Sequence, residues 1–129
     1  MKEIAKNNYY EISVDTSKNR LYLKVKGFWK EKTEVPNYLK DMRNAGQSLS
    51  RGFTVLADLQ EMKAPSPEIG VLHQETQAIL VQAGLDRTAE VLSSAITKMS
   101  TSKYTKTSGM KKMDFSSTNE AEKWLDTKV

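Results

Sequence analysis

The chain has 129 residues, 38% hydrophobic and 28% charged, enough for one domain with a core of its own. It holds no cysteine and no run of about 18 apolar residues, which excludes disulfides, thiolate metal sites, cysteine nucleophiles and a transmembrane helix. A net charge of +4 and a pI near 9.2 raise nucleic acid or an anionic surface as partners, but the lysines run from Lys2 to Lys128 among 16 carboxylates, the pattern of a solvated surface.

Residues 1–8 are polar and predict a frayed terminus. The opening MKEIAKNNYYEIS has neither an apolar core segment nor a cleavage site, so no export signal is expected and the cytoplasm is the default compartment. From Tyr9 to Asp15 the chain alternates, with Tyr10, Ile12 and Val14 on one face. It alternates again from Arg20 to Lys26, with Leu21, Leu23 and Val25 inward and Arg20, Tyr22, Lys24 and Lys26 outward. Thr16 to Asn19 supply the turn, so the two runs predict a β-hairpin with one wet face. Trp29 follows, either as a contact residue or, more commonly, packed under the next helix. Thr33 reads as a cap with Pro36 in the first turn, and Val35, Tyr38, Leu39, Met42, Ala45 and Leu49 keep helical spacing to about Leu49.

Phe53, Val55, Leu56, Ala57 and Leu59 form a nearly continuous apolar run, which predicts a strand covered on both faces and ending at Asp58-Leu59. A loop of about six residues then leads to a helix opened by Ser66-Pro67-Glu68: Ser66 as N-cap, Pro67 where no donor is needed, Glu68 at the positive end of the dipole. Ile69, Leu72, Thr76, Ile79, Leu80 and Ala83 share one helical face, and Gly84 suits the left-handed residue after it. Residues 86–94 fit a strand or a helix by period. The strand through Leu92 is preferred because it completes a crossover. A polar helix over about Ala95–Thr107 and a short strand over Met110–Phe115 follow. Ser117-Thr118-Asn119-Glu120 is a capping box, and Ala121, Trp124 and Leu125 give the last helix an apolar stripe, with Trp124 and Leu125 expected to lie buried on the sheet. The sum is an α/β fold: a mixed central sheet of about five strands, an N-terminal hairpin and then parallel strands, flanked by about four helices. It forms a single domain over residues 1–129 with an ordered core over about 9–126.

This order, with three local features, resembles the SpoIIAA-like branch of the STAS family, the bacterial anti-sigma-factor antagonists. The features are the central strand ending in Asp58-Leu59, the helix start Ser66 to Leu72 (SPEIGVL), and the ending MDFSSTNEAEKWLD. In that ending Phe115, Ala121, Trp124 and Leu125 match the family's close in kind and nearly in spacing. The resemblance runs from about Tyr9 to Leu125. It implies a partner kinase acting on a serine at the central helix start, with phosphorylation releasing the partner. The matching position falls at or next to Ser66, where Ala64-Pro65-Ser66-Pro67 stands in place of Asp-Ser-Ser-Gly. On the residues alone, Ser66 is an N-cap.

Enzymatic chemistry has little to stand on. His73 is the only histidine, too few for the usual zinc site without cysteine, and no phosphate loop, nucleophile elbow or two-histidine motif occurs. No catalytic residue, metal ligand or cofactor is therefore expected. Asp58 lies at the carboxyl end of a central strand, the edge where open α/β sheets bind ligands. With Glu61, Lys63, Ser66 and Glu68 it makes the candidate partner-binding or regulatory surface, set on the loop between strand and helix. The leading expectation is a non-enzymatic regulatory or protein-interaction module with a protein partner and no membrane association. A small-molecule or lipid binder comes second, and a nucleic-acid binder on the basic hairpin face third. The oligomeric state stays open, a homodimer included.

Overall fold

The structure is a computed structural model describing residues 1–63, 66–93 and 111–127. Six strands form one sheet in sequential order: β1 (Lys2–Lys6), β2 (Tyr10–Asp15), β3 (Arg20–Gly27), β4 (Thr54–Met62), β5 (Arg87–Val91) and β6 (Lys112–Phe115). The first three are antiparallel, and β3 to β6 are parallel. Three α-helices are described: α1 (Tyr38–Gln47), α2 (Pro67–Gln82) and α3 (Thr118–Asp126). The expected helix over Ala95–Thr107 lies outside the described residues.

β1 corrects the expectation of a frayed terminus. Its register on β2 shifts between Glu3 and Ala5. The shift lets the adjacent Ile4 and Ala5 both pack against the core. A bulge of this kind erases the alternation by which a strand is recognised in sequence. The helix after the hairpin is also shorter than expected. Lys32–Glu34 form a separate 3-10 turn, in which Glu34 turns back to accept the Lys30 and Glu31 backbone N–H groups at 2.7 and 3.1 Å. α1 begins only after Pro36, as the restriction proline imposes on its neighbours favours.

The apolar run in β4 has the predicted cause. Val55, Ala57 and Leu59 join β2, β3, α1 and α2 in the main core, while Leu56 points to the other face and packs with Ala89, Val91, Ala121 and Leu125. The choice of a strand for β5 holds as well. α1 and α2 cover one face of the sheet, and α3 covers the β4–β6 part of the other.

α3 is docked by two arginines as much as by its apolar stripe. Arg20, 3% exposed, donates to Glu122, to Asp126 at 2.9 Å and to Thr54 Oγ1 at 2.9 Å. Arg87 lies over the Trp124 ring at 4.6 Å and donates to the Leu125 and Thr127 carbonyls. Leu125 is buried as expected, but Trp124 is only half-buried. Its ring rests against Phe115 and the Arg87 guanidinium, so it seals the rim of the small core.

Candidate functional site

The candidate residues split into two groups. Ser66 caps α2: its Oγ accepts the Ile69 N–H at 3.4 Å and donates to the Lys30 carbonyl at 2.9 Å. Glu68 accepts the Lys32 N–H at 2.9 Å. Lys63 donates its backbone N–H to the Gly27 carbonyl at 3.1 Å and leaves its side chain exposed. The Ser66–Lys30 and Glu68–Lys32 bonds fasten the segment after β3 to the start of α2, and the Lys63–Gly27 bond ties the end of β4 to the end of β3.

Asp58 and Glu61 belong to the opposite face. β4 runs on to Met62, so Gln60, Glu61 and Met62 are strand residues and not loop, a correction to the expected boundary. The extension follows from pairing, since Lys26 and Gly27 of β3 continue the ladder opposite Glu61 and Met62. Asp58 accepts the Gln60 backbone and side-chain N–H groups at 3.1 Å. It lines an open groove of about 340 Å³ with Tyr22, Lys24, Thr118, Asn119 and Glu122. Glu61 is ion-paired with Lys24 at 2.8 Å.

The basic face of the hairpin is compensated throughout. Arg20 is held by Glu122 and Asp126, Lys24 by Glu61, and Lys26 by Glu11 at 2.7 Å. A phosphate backbone on this face would compete with carboxylates already in place.

Two exposed side chains near the α2 start were missed in the sequence. Trp29 is buried, with Nε1 donating to the Tyr9 and Lys26 carbonyls at 3.1 Å, and its neighbour Phe28 is 47% exposed. Val71, on the second turn of α2, is 46% exposed. The available signal was Gly27, whose φ of +67° turns the chain so that Trp29 enters the core and Phe28 leaves it.

His73 lies under this surface. It keeps part of its side chain at the surface, yet its ring stacks on Trp29 at 5.3 Å and meets the edge of Tyr38 at 6.0 Å. Burial pushes its imidazole down to about 4, so it is neutral at physiological pH. Glu34 is held below the usual carboxylate range by the Glu31 and Lys30 N–H groups. Among the described residues no group of three or more His, Asp or Glu side chains converges to hold a metal, and no helix is long and apolar enough to cross a membrane.

No protein-family model matches the sequence, and no curated protein does. Among solved structures, the chain is similar to an uncharacterized protein of the DUF3478 family from Shewanella loihica PV-4, described as having a SpoIIAA-like fold. The two superpose with a TM-score of 0.61 at 14% identity, over 94% of this chain and 97% of that one. Sequential strand order, parallel crossovers and near-complete coverage agree: this chain has the SpoIIAA-like fold.

Proposed function

We propose that the protein is a non-catalytic, STAS-type interaction module that docks another protein on the surface formed by the segment after β3 and the first two turns of α2. The observation that carries this reading is the exposure of Phe28 and Val71 around a junction held by the Ser66–Lys30 and Glu68–Lys32 hydrogen bonds. Exposed apolar side chains on a rigid, hydrogen-bonded frame are what a partner can bury without an ordering cost. Lys63 and Ser66 belong to this surface, and Glu68 helps to fix it. Asp58 and Glu61 lie across the sheet and stand outside this surface.

Regulation fits the same junction. A phosphate on Ser66 would remove the hydroxyl donor that holds the Lys30 carbonyl and would set negative charge beside that oxygen. The segment from Lys30 to Glu34 would be loosened from the start of α2. The lipid reading is weaker, because the cavity in the main core is about 60 Å³, far less than an acyl chain fills. The nucleic-acid reading is opposed by the paired hairpin lysines.

The test is binding of a partner isolated on the wild-type protein to Phe28→Asp and Val71→Asp. Both variants should melt as wild type and lose at least about tenfold in affinity, the scale of a lost interface contact. Wild-type affinity in both would overturn the proposed surface and leave the groove at Asp58 as the alternative.

A further inference from the structure

We draw no further inference here: the strongest candidate, the open groove between the first turn of α3 and the outer face of β2–β4, has Glu11, Lys24 and Glu122 already ion-paired and Asp58 already bonded to Gln60, and nothing among the described residues shows what covers it.

Discussion

Arg20 and Glu122 lie 102 positions apart and are ion-paired where α3 meets β3. The Arg20 side chain is 4% exposed and Glu122 29%, so the cation is the buried partner. Tyr22 donates its hydroxyl to the same carboxylate, and burial with this bond raises the phenol to about 12. Removing the carboxylate would leave a buried guanidinium with Asp126 as its remaining acid. Glu122→Ala is therefore expected to cost about 1.5–3 kcal/mol, the range for a hydrogen bond to a charged group. Urea denaturation checks this, and an unchanged midpoint would mean that α3 is held by its apolar contacts alone.

The same helix gives a second expectation. Leu125 is 4% exposed and Trp124 half-buried. Leu125→Ala should cost about 2–5 kcal/mol, while Trp124→Ala should fall below the 3–5 kcal/mol typical of a fully buried aromatic, roughly 1–3 kcal/mol. Equilibrium denaturation of the two variants gives the order. A larger loss for Trp124→Ala would place the tryptophan at the centre of the small core.

Two glycines should respond with opposite signs. A Cβ on Gly46 of α1 would meet Leu80 Cδ2 at 3.5 Å, ordinary contact, and Ala is the better helix former by about 1 kcal/mol. Gly46→Ala is expected to raise the midpoint. Gly84 has φ +106°, and a Cβ there would lie 3.0 Å from the Arg51 Cα. Gly84→Ala should destabilise by more than about 1 kcal/mol, because the backbone conformation and the contact are both unfavourable. Thermal melts of the pair decide.

The stretches with a single strong period were legible in the sequence: the hairpin, the β4 run and the capped starts of α2 and α3. The illegible parts broke a local rule for a tertiary reason. β1 hid behind a bulge that turns Ile4 and Ala5 both toward the core. The β4 boundary was set by pairing with Lys26 and Gly27, partners that only the fold supplies. The candidate site was half visible. The cap at Ser66 could be read from Ser-Pro-Glu, but the carbonyl it holds belongs to Lys30, 36 positions away, and no local pattern reports such a contact.

His73 predicts a pH dependence. Its imidazole falls from the ordinary 6.5 to about 4 through burial, so between those values the unfolded chain binds a proton that the folded chain does not. Stability should fall as pH drops from about 6.5 toward 4 and level off below, with no contribution from this group above 6.5. The carboxylates titrate nearby, so the measurement is the difference between wild type and His73→Phe at each pH. A flat difference across pH 7 to 4 would show that the ring is not desolvated in the folded state.

Ser66 gives the prediction that separates capping from tethering. Its hydroxyl does two things at once: it accepts from Ile69 N at 3.4 Å and donates to the Lys30 carbonyl at 2.9 Å. Ser66→Ala loses both and should cost about 1 kcal/mol, the usual value of an N-cap. Ser66→Asp keeps an acceptor for Ile69 and adds a negative charge at the positive end of α2, which favours the helix. An aspartate cannot donate, however, and its charge would face the Lys30 carbonyl oxygen. The Asp variant should therefore recover most of the lost stability while the segment from Lys30 to Glu34 comes loose. Amide hydrogen exchange reads the two effects separately. Protection at Ile69 should return in Ser66→Asp, and protection at Glu34 and Val35, whose N–H groups bond within that segment, should stay low. Restored protection at both places would mean that the Glu68–Lys32 bond alone fixes the junction and that charge at residue 66 cannot act as its switch.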